Sequence, residues 1–158
     1  MSASPQHKAA ADDMLALDSQ FCFALYSASH AMTRSYKPML EQLGLTYPQY
    51  LAMLVLWEQD GVLVKDIGAR LFLDSGMLTP LLKRLEANAL LTRTRDAHDE
   101  RQVRIHLTEA GRGLREPAAR ISEQLLAVGR QQADTLLRLR SELSAVRDDL
   151  FDACAGER

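Results

Sequence analysis

Apolar positions in the middle of the chain change period twice. Between Lys65 and Phe72, Ile67 and Leu71 stand four apart while Lys65, Asp66 and Arg70 fall on the other side, which predicts a short amphipathic helix. Leu73 leads to Asp74 or Ser75, either of which can accept a bond from a free N–H of a second helix, Ser75 to Ala87. That helix turns Leu78, Leu81, Leu82 and Leu85 inward and leaves Ser75, Met77, Thr79, Lys83 and Arg84 for another face. Pro80 lies inside it, opposite Gly76, the residue best able to yield to its ring. The period then drops to two. Leu90 to Arg95 and Arg101 to Leu107 alternate as strands around a turn from Asp96 to Glu100, placing Arg93, Arg95, Arg101 and Arg104 on one ribbon. Two helices and a basic hairpin in this order predict a winged helix-turn-helix. The second helix suits a major groove and the arginines suit phosphates and a narrow minor groove, so the expected partner is double-stranded DNA.

The flanks read as helices with too much grease for one neighbour. From Asp12 or Asp13 a long helix is expected to about Ser35, with Leu15, Cys22, Leu25 and Met32 on one row and Met14, Leu17, Phe21, Ala24, Ala28 and Ala31 on the next. A dimer interface would cover them. Lys37-Pro38 is expected to open a separate short helix that Gly44 ends. Thr46-Tyr47-Pro48-Gln49 has the form of a capping box, opening a helix that carries Tyr50, Leu51, Met53, Leu54, Leu56 and Trp57. Beyond the hairpin, Thr108 caps a helix from Glu109 with Leu114, Ala118, Ile121, Leu125 and Val128, bent or jointed at Pro117 and broken at Gly129. The last helix spaces Leu136, Leu139, Leu143, Val146 and Leu150 by threes and fours, a seam for a partner helix. The organisation expected is a single domain over 1–158, with dimerisation helices at 12–45 and 109–154 around a reading lobe at 46–108. A two-fold homodimer would present two reading helices to a pseudo-palindromic site.

Composition narrows this picture. The chain has 158 residues, 47% of them hydrophobic, enough for a real core. Its net charge of −2 excludes a polycation, so attraction to DNA has to be local. No apolar run is long enough for a membrane span and the first residues lack a secretory core, so a cytoplasmic protein without a membrane partner is expected. Cys22 and Cys154 make neither a disulfide framework nor a zinc site, and His7, His30, His98 and His106 have no ligand spacing. No metal or cofactor is expected.

Three features together resemble the MarR family of dimeric winged-helix repressors: Leu73-Asp74-Ser75, the run Leu81-Leu82-Lys83-Arg84-Leu85-Glu86, and Asp99-Glu100-Arg101 followed by Leu107-Thr108-Glu109-Ala110-Gly111. The chain is more narrowly similar to the organic-hydroperoxide-sensing OhrR branch. Members of that branch carry a reactive cysteine in the first helix, here Cys22 within Phe21-Cys22-Phe23-Ala24-Leu25-Tyr26, with tyrosines matching Tyr36 and Tyr47, and Leu78-Thr79-Pro80-Leu81-Leu82-Lys83-Arg84-Leu85 in the reading helix. The resemblance implies a non-enzymatic DNA-binding repressor that releases its operator when an organic hydroperoxide oxidises Cys22.

A thiol attacks peroxide as thiolate, and phenol hydroxyls donating to sulfur would stabilise that form. On one continuous helix Cys22 and Tyr36 would stand roughly 21 Å apart, so such a bond has to come from the other subunit or from beyond a sharp break. The family implies the other subunit. An apolar pocket near Phe21, Phe23 and the tyrosines is expected to admit the peroxide. Two-cysteine members place a partner thiol in the helix after the wing, where this chain has Ala127, so the resolving thiol is Cys154 or a low-molecular-weight cellular thiol. Three other readings stand beside this one. They are a repressor released by a small aromatic ligand, a thiol peroxidase, which would need a thioredoxin-like alternation the sequence lacks, and an interaction module, which leaves the basic hairpin unexplained.

Overall fold

Thr46 is where local sequence rules are most completely met. In the computed structural model, which describes residues 15–128 and 133–155, Gln49 N donates to Thr46 Oγ1 at 3.5 Å and Thr46 N donates to Gln49 Oε1 at 2.9 Å. Two orphan donors are thereby satisfied, and Pro48 sits where the helix needs none. The helix this box opens, Tyr47–Glu58, is the second of seven among the described residues. The others are α1 (Phe21–Glu41), α3 (Val64–Leu71), α4 (Ser75–Ala87), α5 (Glu109–Gly113), α6 (Arg115–Val128) and α7 (Ala133–Ala155), so the box opens α2. A 3-10 turn at Leu17–Ser19 precedes α1. Three strands, β1 (Val62–Leu63), β2 (Leu91–Arg95) and β3 (Val103–Leu107), form an antiparallel sheet in the order β1-β3-β2.

The core of the first unit gathers on α2. Tyr50, Ala52, Met53, Val55 and Leu56 are buried on it, with Ile67 of α3, Leu78, Leu82 and Leu85 of α4, and Leu91, Ile105 and Leu107 of the sheet. Asp74 caps α4 by accepting from Met77 N at 3.0 Å, and α4 spans the residues its pattern predicts. In the hairpin Leu91 pairs with Leu107, Arg93 with Ile105 and Arg95 with Val103, the register that puts Leu91, Ile105 and Leu107 inside.

Several boundaries differ from those the pattern predicts. The separate helix expected at Lys37-Pro38 does not exist: α1 continues through Pro38 to Glu41. Pro38 is exposed, so the carbonyl of Arg34 that loses its intrahelical donor faces water, and the helix survives. Phe72 lies outside α3 in the left-handed conformation, φ 55°, and ends it. Arg101 belongs to the turn, since β3 starts at Val103. Pro117 stands at a joint, since the division of the chain into two contact units falls directly after it. It occupies the first turn of α6, where a missing donor is harmless, and the break falls at Leu114.

Contacts divide the chain into two units, residues 1–117 and 118–158, the division falling within α6. In the second unit α7 exposes Leu136, Leu139, Leu143, Val146, Leu150 and Phe151, the residues of the predicted seam among them. The expected start of the first helix at Asp12 or Asp13 lies outside the described residues, but the helix does not run through residues 15–20: α1 starts at Phe21 after the extended Gln20, so Leu15 and Leu17 are not on it. The break at Gly129, Met14, His7 and the side chains of Leu125 and Val128 also lie outside the described residues. Among the described residues no helix is long and apolar enough to cross a membrane.

Candidate nucleic-acid interface and thiol sensor

On α4, burying Leu78, Leu82 and Leu85 turns the opposite face outward. Ser75, Met77, Lys83 and Arg84 are exposed there, Met77 by 62%, and Thr79 is half-buried beside them. Neither Lys83 nor Arg84 has an ion-pair partner among the described residues.

The wing uses its arginines unequally. Arg93 Nε lies 3.3 Å from Glu86 of α4, tying β2 to the reading helix. Arg95 donates to the carbonyl of Glu100 at 3.2 Å, across the turn. Arg101 stands at the tip with its side chain 93% exposed, its Nε held 3.3 Å from Asp99 Oδ1. Asp99 is in turn held below the usual carboxylate range by the Gln102 amide and the Arg101 backbone N–H. Arg104 faces the other way. Its Nε donates to Asp96 Oδ2 at 2.9 Å and its Nη1 to the carbonyl of Gly61. Asp96 also accepts from His98 N and Asp99 N at 2.9 and 3.1 Å, and these bonds, Arg104's first, lower its pKa to about 2. Arg104 is therefore a brace of the wing, and the exposed cations of the reading head include Arg95 and Arg101 on the wing and Lys83 and Arg84 on α4.

The second constellation is built on α1 and α2. Cys22 is exposed in the first turn of α1. Tyr36 lies fourteen residues along the same unbroken helix, a rise of roughly 21 Å, so the two do not touch within one chain. Tyr36 instead packs on α2, its ring centroid 5.0 Å from that of Tyr47 and 6.0 Å from that of Tyr50. Burial and the neighbouring phenols raise the pKa of Tyr36, and burial and Tyr50 raise that of Tyr47. Both hydroxyls stay protonated, as donors, throughout the neutral range.

A groove of about 390 Å³ opens beside Tyr47, floored by Leu40, Leu45 and Pro48 and rimmed by His30, Arg34 and Lys37. Neither Phe21 nor Phe23 lines it, so the apolar opening lies at the tyrosine end of α1, away from the cysteine of the same chain. Cys154 is exposed near the end of α7.

Three residues of these sites carry little sequence signal. Tyr50 reads as core, yet it is the third ring of the cluster, and its spacing of three from Tyr47 is the clue. Asp60 accepts from Gly61 N and Leu107 N at 2.8 Å each and from Arg112 at 2.7 Å, joining the end of α2 to β3 and α5. Trp57 donates its indole N–H to the carbonyl of Gly111 at 2.9 Å.

Comparison with known proteins places this arrangement. The family described as transcriptional regulator SarA/Rot matches residues 34–116. The HTH-type transcriptional regulator TtmR of Methylorubrum extorquens is 51% identical over 139 residues, 88% of this chain and 71% of that protein. The organic hydroperoxide resistance transcriptional regulator of Bacillus subtilis is 47% identical over 138 residues, 87% of this chain and 94% of its own length. Among solved structures, reduced AbfR bound to DNA superposes with a TM-score of 0.76 at 35% identity, covering 85% of this chain and 94% of that one. The Methylorubrum and Bacillus relatives are both transcriptional regulators by name. The chain belongs to the MarR/SarA family of winged-helix transcriptional regulators, on the branch that includes the Bacillus organic hydroperoxide regulator.

Proposed function

We propose that the chain is a homodimeric repressor that holds operator DNA while Cys22 is reduced and releases it when an organic hydroperoxide oxidises that thiol. The observation that carries the reading is the placement of Cys22 in the first turn of α1 and of Tyr36, packed on Tyr47 of α2, roughly 21 Å along the same helix. An exposed thiol at one end and two protonated phenols at the other meet when two antiparallel copies of α1 lie side by side. The exposed Phe21, Leu25 and Met32 of α1 supply apolar surface for that pairing.

DNA binding follows from the reading head. Ser75, Met77, Thr79, Lys83 and Arg84 enter the major groove, and Arg101, with Arg93 and Arg95 behind it, follows the backbone into the minor groove. Arg104 serves this surface from within.

In the redox step the Cys22 thiolate attacks the outer oxygen of the hydroperoxide. The S–O bond forms as the O–O bond breaks, and the alkoxide leaves and takes a proton to become the alcohol. Sulfur loses two electrons and becomes a sulfenic acid. The groove beside Tyr47 receives the organic body. A second thiol, Cys154 of the other copy or a small cellular thiol, then displaces hydroxide as water and leaves a disulfide. The phenols lose the anion they were donating to, and the reading heads leave register. A loss of two to three kcal/mol weakens operator binding by about 30- to 150-fold.

The test is a gel shift on the DNA upstream of the chain's own gene, with and without cumene hydroperoxide. Wild type is released and Cys22→Ser stays bound; equal release of both rejects the thiol sensor. The groove also favours a second reading, release by a small aromatic acid, because Arg34 lines an apolar floor beside Lys37, which is itself 3.8 Å from Glu41. That reading takes over if peroxide leaves wild type bound and such an acid releases it.

A further inference from the structure

The chain has a single tryptophan, and its ring closes a continuous path. Tyr36 and Tyr47 meet at 5.0 Å, both reach Tyr50 at 6.0 and 6.4 Å, and Tyr50 meets Trp57 edge to face at 6.3 Å. Tyr47, Tyr50 and Trp57 are spaced by three and seven on α2, so the stack runs along one helix face. At its far end the indole N–H donates to the carbonyl of Gly111.

Gly111 is seated with no slack. A Cβ there would lie 2.0 Å from the carbonyl oxygen of Leu90. That same oxygen accepts from Thr108 N at 3.1 Å, while the Thr108 hydroxyl donates to the carbonyl of Ala89 at 2.7 Å. The exit of α4, the end of the wing and the start of α5 are thus fastened at one junction, and Trp57 holds it from the sensor side.

We propose that Trp57 is a positioning residue of the redox response, the end of an aromatic strut that carries displacement of the sensor phenols to the junction of reading helix and wing. The inference rests on the Cys22 reading. Close-packed rings do not deform by degrees: when Tyr36 and Tyr47 move, Tyr50 has to move or lose contact, and Trp57 with it. The hydrogen bond to Gly111 converts that motion into a pull on the base of the wing. A path becomes a mechanism only when coupling along it is measured.

Two full-length variants break the strut at different points. Trp57→Phe keeps a ring and removes the N–H; Tyr50→Leu removes the ring link and leaves Trp57 its bond to Gly111. For each, the rate of Cys22 sulfenic acid formation with cumene hydroperoxide and the operator affinity of reduced and oxidised protein are measured. For Trp57→Phe the oxidation rate and reduced affinity are expected within about twofold of wild type, and for both variants the ratio of reduced to oxidised affinity is expected to fall about fivefold or more. The double variant is expected to lose no more than either single one, as residues of one strut should. Independently, oxidation of unaltered protein is expected to shift the emission of Trp57, and peroxide is expected to leave that emission unchanged in Cys22→Ser. An affinity ratio equal to wild type in both variants, or an equal weakening of both redox forms, makes Trp57 merely structural and overturns the proposal. If wild-type Cys22 is not oxidised, or its oxidation leaves operator binding intact, the sensor reading falls first and the strut falls with it.

Discussion

Arg104 and Asp96 hold each other at the base of the wing, with Arg104 Nε 2.9 Å from Asp96 Oδ2 while its Nη1 reaches the carbonyl of Gly61. One guanidinium thus joins β3 to the wing turn and to the loop before β1. The carboxylate it binds is also the acceptor that folds His98 and Asp99 into a turn.

The pH dependence follows from that carboxylate. Its pKa in the folded chain is about 2, below the unfolded value of about 3.9. A depressed pKa contributes stability that is fully present above the unfolded value and is lost as pH falls through the folded one. Urea midpoints measured from pH 7 to pH 2.5 are expected to hold steady and then fall below about pH 4. Asp96→Asn should be less stable at neutral pH and show a shallower acid limb; a limb as steep as wild type would assign the acid sensitivity elsewhere, with Asp99 and Asp60 the next carboxylates to test.

Gly111 gives the sharpest stability prediction. A methyl group there meets backbone, which has no rotamer to yield, so Gly111→Ala is expected to destabilise by roughly 3 kcal/mol in urea unfolding. Gly113→Ala, two residues on, meets nothing within 4 Å and should lie within about 0.5 kcal/mol of wild type.

The phenols should act on rate. Removing one donor to a thiolate forfeits about 1.5 kcal/mol, so Tyr36→Phe and Tyr47→Phe are each expected to slow Cys22 oxidation about tenfold with folding unchanged. Because burial raises both phenol pKa values, raising the pH from 7 to 9 should not ionise them. Wild-type rates from either variant, measured by trapping the sulfenic acid, would remove that tyrosine from the site.

The reading surface separates by salt dependence. Lys83→Ala and Arg101→Ala each delete one outward cation per reading head and should lower the slope of log affinity against log salt by about 1 per head, about 2 for the dimer. Arg104→Gln is expected to weaken binding through a loosened wing, with the slope close to wild type. A slope change equal to that of Arg101→Ala would place Arg104 on phosphate after all.

The reading head was the most legible part of the sequence because its elements obey local rules. Thr46 with Gln49, Asp74 before Ser75, and the alternation from Leu91 to Arg95 each state a boundary within a few residues. What escaped depends on partners far along the chain. β1 is two residues long and has no period to detect; it exists because Val62 pairs with Ile105. Pro38 reads as a helix start by its chemistry and is tolerated inside α1 by its exposure, which no local pattern announces. The arginines of the wing look alike in sequence, and only Asp96, Asp99 and Glu86 sort them into a brace, a tip and a tie. Asp60 and Trp57 find their acceptors and donors about fifty residues away.

The knot of Ala89, Leu90, Thr108 and Gly111 at the foot of the hairpin also bears on how such regulators diversify. With both legs of the hairpin tied there, the five residues between Asp96 and Gln102 form a closed loop whose length the lobe beneath does not sense. Descendants are free to lengthen, shorten or recharge that loop and so adopt new operators, while the lobe beneath keeps folding as before.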